Sequence, residues 1–481
     1  MTRDDAIRRV LDHFDHGCFL DDLARRIAIP SESQNPERRA ELERYLSEEI
    51  GPAVQRLDGE WTIHRNPVGD APLLVGQRIE MPALPTVLVY GHGDVVHGQD
   101  RLWRDGLAPW RMIREGDRLY GRGTADNKGQ HSVLLAALQA VHAERGGRLG
   151  FNLKVVIETG EEIGSPGLRE FARAEAALLA ADLLIACDGP RLKPDLPTLF
   201  MGARGVASFE LVARFREGSH HSGNWGGLLA NPAIVLAHAL ASLTGSRGEI
   251  LVEAWRPPAI PAPVRAALAE IDIDRDPDGP TIDPGWGEPG LSPAERVYAW
   301  NSFEVLAFAA GTPDQPVNAI PPRAAAWCQL RHVVGTDPKR ILSGLREHLD
   351  RRGFGMIAIE QKEPCDYPAT RMLPDHPLVA WAAESMDRSL GRCPVILPNL
   401  GGSLPNDVFA EILGMPTLWV PHSYAACGQH APDEHALVRI LREGLQVMTG
   451  LFWDLGEGTA PLADHDGSGK GPSAPARGPN S

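Results

Sequence analysis

The chain has 481 residues, 43% of them hydrophobic, with 48 basic against 63 acidic side chains and a net charge of −15. That length exceeds one ordinary core, so two domains and a tail are expected, and the acidic balance excludes nucleic acid or an anionic membrane as the main partner. Six cysteines, Cys18, Cys187, Cys328, Cys365, Cys393 and Cys427, show no CxxC spacing, which speaks against a disulfide framework or thiolate zinc site and for reduced thiols in the cytoplasm.

The opening segment Met1–Val10 is charged throughout and leads into an amphipathic helical pattern, with neither a signal peptide nor a membrane span visible. Thr86-Val-Leu-Val-Tyr90 reads as a strand that ends at His92, within Tyr90-Gly-His-Gly-Asp94. Gly121-Arg-Gly-Thr-Ala-Asp-Asn-Lys-Gly129 sets Asp126 on a glycine-flanked turn. Asn152-Leu-Lys-Val-Val-Ile157 runs into Glu158-Thr-Gly-Glu-Glu162, Ala181–Cys187 ends at Asp188, and Pro416-Thr-Leu-Trp-Val420 leads through a loop to His430. Four apolar strands thus deliver polar side chains to one edge, the edge at which open α/β sheets bind ligands. His92, Asp126, Glu162, Asp188 and His430 make two imidazoles and three carboxylates, an inventory suited to two divalent ions. Of the paired glutamates one can bind metal while the other, free of it, takes a proton from water.

Between Asp188 and His430 the pattern changes to that of a separate domain. Val206–Phe215 alternates as a half-buried strand does, and Asn231-Pro-Ala opens a helix with Asn as cap and Pro in the first turn. Strands are expected at 302–309 and 324–334, a helix from Asp337 and a last strand at 356–360, the βαββαβ order of a ferredoxin-like sandwich. Residues 254–294, rich in Pro, Gly and Asp, read as an insertion with one short helix around Val264–Glu270. From Glu457 to Ser481 there is almost nothing to bury, so this tail is expected to be disordered. The expected division is 1–203 and 373–456 for the catalytic domain, 204–372 for the inserted domain and 457–481 for the tail.

From about residue 20 to residue 450, the order of these motifs resembles the dinuclear zinc metallopeptidases, a family that includes carnosinases, bacterial dipeptidases, carboxypeptidase G, aminoacylases and succinyl-diaminopimelate desuccinylase. The resemblance implies an α/β fold, a three-layer α/β/α catalytic domain with an inserted α+β lid, and a homodimer formed through that lid. It implies that His92, Asp126 and Asp188 hold one metal and Asp126, Glu162 and His430 the other, with Asp126 bridging and the Asp126-Asn127 peptide cis. Glu161 would be the general base, and Asp94 would orient His92 from behind. In Gly218-Ser-His-His-Ser-Gly-Asn-Trp-Gly-Gly227, His221 matches the histidine that polarises the scissile carbonyl in a neighbouring subunit's site. Asn318 in Asn318-Ala-Ile-Pro321, Arg331 and Ser403 in Gly401-Gly-Ser403 match substrate-binding positions, with Arg331 gripping a carboxylate. Arg204 falls at the expected hinge and is assigned no catalytic role.

Asp188 and the His-Ser-Gly loop favour the dipeptidase branch, so the expected reaction is metal-dependent hydrolysis of a peptide bond in a dipeptide or small peptide. Ser219 and Asp433 depart from that branch at the substrate end. The expected cofactor is two zinc ions, with manganese or cobalt as alternatives. Hydrolysis of an N-acyl or N-carbamoyl amino acid is the second reading, and a non-catalytic binding protein on the same fold is the third.

Overall fold

A computed structural model describes residues 1–273, 280–361 and 367–462. The expected tail beyond 462 and part of the insertion, 274–279, lie outside the described residues.

Two compact units emerge. The first comprises Met1–Phe200, Asp375–Ile396 and the chain from Val408, and is built on an eight-stranded sheet. Its spatial order is Glu60–His64, Leu73–Arg78, Asn152–Glu158, Thr86–His92, Leu183–Ala186, Thr417–Trp419, Thr198–Phe200 and Val395–Leu397. The four strands from Asn152–Glu158 to Thr417–Trp419 run parallel. Every residue of Asn152–Glu158 is buried, which explains its continuous apolar run, since strands covered on both faces need not alternate. Register sets His92 opposite Glu158 and Tyr90 opposite Ala186, so neighbouring strands finish level at the edge where His92, Glu162 and Asp188 follow. Helix Lys128–Glu144 starts just after Asp126, is buried nearly all round, and packs against helices Arg3–Asp15 and Val438–Gly456.

The second unit takes in Met201–Pro374 and also Leu397–Asp407, a segment that the sequence expectation left in the catalytic half. Its four-stranded antiparallel sheet has the order Ser302–Ala310, Arg323–His332, Gly205–Arg214 and Ala358–Glu360. With helices Pro232–Leu243 and Pro338–Arg351, this is the βαββαβ sandwich that the periodicity predicts. Both helices begin with proline behind a side-chain cap, Asn231 accepting from the Ala233 N–H and Asp337 from the Lys339 N–H.

The insertion differs from its expectation. Trp255 is fully buried in the lid core beside Phe209 and Phe303, and its indole donates to the Ile341 carbonyl at 3.0 Å. Among the described residues two helices follow, Ala262–Leu268 and Pro293–Tyr298, where one is expected. Val264, Leu268, Ala294 and Ala299 close a small core of their own. The second helix has only six residues, too few to show a helical period, and rests on a capping box between Ser292 and Glu295. Five cysteines, Cys18, Cys187, Cys328, Cys393 and Cys427, are free, and among the described residues no helix is long and apolar enough to cross a membrane.

Candidate metal centre

At the carboxyl edge of the parallel strands, His92 Nε2 lies 3.0 Å from Asp126 Oδ1 and 3.6 Å from Asp188 Oδ2. The other Asp126 oxygen, Oδ2, is 3.0 Å from His430 Nε2, which is itself 3.0 Å from Glu162 Oε2. Two triads result, His92–Asp126–Asp188 and Asp126–Glu162–His430, and within each the candidate ligand atoms lie within 4.8 Å of one another. Asp126 belongs to both. Its peptide bond to Asn127 is cis, and His430 sits in the left-handed region at φ 62°.

Electrostatics inside this cluster call for positive charge. Burial opposes ionisation of Asp126, yet hydrogen bonds from His430 and His92 hold it below the usual carboxylate range. Burial and the Asp126 charge push Asp188 up to about 6 and Glu162 up to about 7. Burial, with Glu162, Asp188 and Asp126 adding repulsion, holds Glu161 well above the ordinary range. His430 is raised to about 11 by its hydrogen bonds to Asp126 and Glu162. For His92 burial works downward, but Asp126, Asp94 and the charge on Asp188 hold the imidazole well above its normal value. Asp188 Oδ2 is buried with no hydrogen-bond partner among the described residues. An orphaned carboxylate oxygen among imidazole nitrogens and further carboxylates is the donor set of zinc and similar divalent ions, so the residues fit two such ions.

Glu161 and Glu162 occupy a helical turn after strand Asn152–Glu158, and their N–H groups donate to Asp94 at 3.3 and 3.1 Å. The Asp94 carboxylate stands 3.4 Å from His92 Nδ1, whereas the Asp94 carbonyl is closer, at 3.0 Å. Asp94 therefore braces the glutamate turn and backs the imidazole mainly through its own main chain. The sequence reading passed over Glu434. Its buried carboxylate accepts from the N–H groups of Gly123, Ala125 and Asp126 at 3.0, 3.0 and 3.1 Å and pairs with Arg122 at 2.8 Å. Contacts to main-chain N–H groups leave no mark in residue spacing. Gln429, also unanticipated, donates its amide to Asp126 Oδ2. Asp433, with φ 61°, accepts from the Arg104 N–H at 2.9 Å.

The remaining candidates lie in the second unit, in two groups. His221 is exposed on a short strand opposite Ala319, and the neighbouring Asn318 carbonyl accepts from the Ser222 N–H at 2.8 Å. Arg331 donates to Ser403 Oγ at 2.8 Å and to Gln329 at 3.0 Å. Ser403 donates in turn to the Arg204 carbonyl at 2.7 Å, and the Arg204 guanidinium holds the Gly401 carbonyl at 2.7 Å. Arg204, expected at a hinge, thus fixes the glycine-rich turn that carries Ser403.

Several known proteins are similar to this chain. The cysteinylglycine-S-conjugate dipeptidase of Corynebacterium striatum is 27% identical over 386 residues, 79% of this chain and 80% of that protein. A Cys-Gly metallodipeptidase of Candida albicans is 33% identical over 248 residues, 49% of this chain and 51% of that one. The Beta-Ala-His dipeptidase of Homo sapiens is 32% identical over 252 residues, 49% and 48% of the two chains, so the match spans about half the length of these last two relatives. Among solved structures, the di-peptidase Dug1p of Saccharomyces cerevisiae shares the fold with a TM-score of 0.77 at 19% identity, covering 95% of this chain and 99% of that one. A metallo-carboxypeptidase of Sulfolobus solfataricus shares it with a TM-score of 0.76 at 24% identity, covering 91% and 99%. Residues 88–454, well over half of the chain, match the family model for Peptidase family M20/M25/M40, and the chain belongs to that family.

Proposed function

We propose that this enzyme hydrolyses the peptide bond of dipeptides and similarly small peptides at a dinuclear metal centre. The observation that carries the reading is the pair of triads sharing Asp126, with Glu161 beside them. His92, Asp126 and Asp188 would hold one ion and Asp126, Glu162 and His430 the other, zinc being the first choice and manganese and cobalt the alternatives. When bound, such ions activate water and polarise the scissile carbonyl. Glu161 takes the proton from the attacking water on its carboxylate and returns it to the leaving nitrogen. Asp94 holds the glutamate turn through the two N–H groups, so Glu161 stays aimed while Glu162 binds metal.

Arg331 grips the substrate carboxylate, supported by a guanidinium whose hydrogen bonds go to two neutral groups, Ser403 and Gln329. Ser403 and Asn318 line the substrate side, and His221 donates to the developing oxyanion from a partner subunit. Dimerisation through the lid is supported by the edge strand Ser302–Ala310, where Val305, Leu306 and Phe308 are exposed. A cytoplasmic location belongs to the same proposal and rests on the free thiols.

The relatives' names point to Cys-Gly, its S-conjugates and Beta-Ala-His as the first substrates to try. The metal-reconstituted enzyme should cleave at least one of them with kcat/KM more than tenfold above any N-acyl or N-carbamoyl amino acid in the same panel. The reverse ranking would replace the peptidase reading by the deacylase one, and inactivity on both classes would defeat it.

A further inference from the structure

Two carboxamides at the start of helix Lys128–Glu144, Asn127 and Gln130, are completely buried, and both hydrogen-bond to main-chain groups around the candidate ligands. Gln130 Nε2 donates to the Ala125 carbonyl at 2.9 Å and to the Gly189 carbonyl at 3.3 Å, while its Oε1 accepts from the His422 N–H at 2.7 Å. Asn127 Nδ2 donates to the Cys187 carbonyl at 2.8 Å, and its Oδ1 accepts from the His92 N–H at 3.4 Å and lies 3.1 Å from His131 Nδ1. The two amides therefore hold the residue before Asp126, the residues on both sides of Asp188, and His92 itself. They do not touch Glu162, and they reach the His430 loop only through His422, near its start. Asp126 is common to both triads, but Gln130 also holds the Gly189 carbonyl, and Gly189 donates its N–H to Asp188 Oδ1 at 2.6 Å, so the bracing is lopsided toward the His92–Asp126–Asp188 triad.

We propose that Gln130 is a positioning residue that sets the spacing of the His92–Asp126–Asp188 metal position and so controls the affinity of that position more than the other. The proposal rests on the dinuclear reading above. The chemistry demands a carboxamide, because one side chain must present two donors and one acceptor from the same arm. Leucine or methionine would leave the Ala125 carbonyl and the His422 N–H without partners and the Gly189 carbonyl with Ser423 Oγ alone, at 3.0 Å. A buried glutamate would be protonated, keeping the acceptor and one donor and losing the second.

The test is chelator competition on the metal-reconstituted full chain, with the melting curve of the metal-free protein recorded in parallel. Gln130→Met should weaken one of two metal equivalents by about 10- to 100-fold, the scale on which outer partners of metal ligands act. Gln130→Glu should fall between Gln130→Met and the parent. Position is read by pairing each change with a ligand deletion. In a Glu162→Ala background the surviving ion should weaken by the same factor, whereas in an Asp188→Ala background it should change by less than about threefold. Equal weakening at both positions, no weakening at either, or loss of the metal-free melting transition with both equivalents would assign Gln130 to the core alone and overturn the proposal. A parent protein that holds fewer than two equivalents would instead defeat the dinuclear reading on which it rests.

Discussion

Glu161 shows how one side chain acquires a task from its surroundings. Burial and the negative Glu162, Asp188 and Asp126 hold its carboxyl well above the ordinary range, and two incoming dications would reverse that balance in favour of the carboxylate. Removing the side chain leaves all five candidate ligands in place. Glu161→Ala is therefore expected to keep two metals per chain and to lose about 10²- to 10⁴-fold in kcat, as loss of a general base does. Metal analysis beside kinetics checks this, and loss of the metals with the side chain would make Glu161 a ligand. The cluster also predicts a pH dependence. In the metal-free protein Glu162 titrates at about 7 and Asp188 at about 6, so both bind protons as the pH falls through those values and compete with metal. His430, raised to about 11, must give up its proton at any neutral pH. Metal uptake should release more protons at about pH 6 than at about pH 8, and affinity should drop on acidification; calorimetry in two buffers of different ionisation enthalpy measures both. The candidate ligands were legible because each follows an apolar run or a glycine-flanked turn. Glu434, Gln130 and the carbonyl of Asp94 were not, because they act through main-chain groups that residue spacing does not encode.

Among the elements, long periodic segments were the readable ones. The four parallel strands and the lid's strand and helix order follow from continuous or alternating burial, and the helix starts at Asn231 and Asp337 follow from cap and proline chemistry. Short pieces were misread for lack of a period. The insertion expected at 254–294 takes in Ala254 and Trp255, although Trp255 completes the lid core, and its pattern does not show helix Pro293–Tyr298. If His221 serves a partner's site, mixing inactive Glu161→Ala with inactive His221→Ala subunits should restore up to about a quarter of the parent activity, since half the subunits in a random mixture pair with the other variant and each such pair holds one intact site. No recovery after demonstrated subunit exchange would give His221 a role within its own chain.

For the whole molecule, one acidic chain divides into a unit that gathers the metal donors and a unit that holds Arg331, Ser403, Asn318 and His221. Length and composition indicated two units but not the return of Leu397–Asp407 to the second, because membership there is decided by contacts with distant residues such as Arg204 and Arg331. Metals that bind only the folded chain should also raise its stability, by about 2.7 kcal/mol when free metal stands at 100 times Kd. The central claim is that two ions sharing Asp126 carry out peptide hydrolysis. Its most direct measurement is stepwise titration of the metal-free enzyme with zinc, following bound metal and the rate on Cys-Gly or Beta-Ala-His in the same samples. Two equivalents should bind per chain, with full activity only as the second is taken up, and Asp126→Asn should weaken both. Full activity at one equivalent, or activity that persists in the metal-free protein, would contradict the claim.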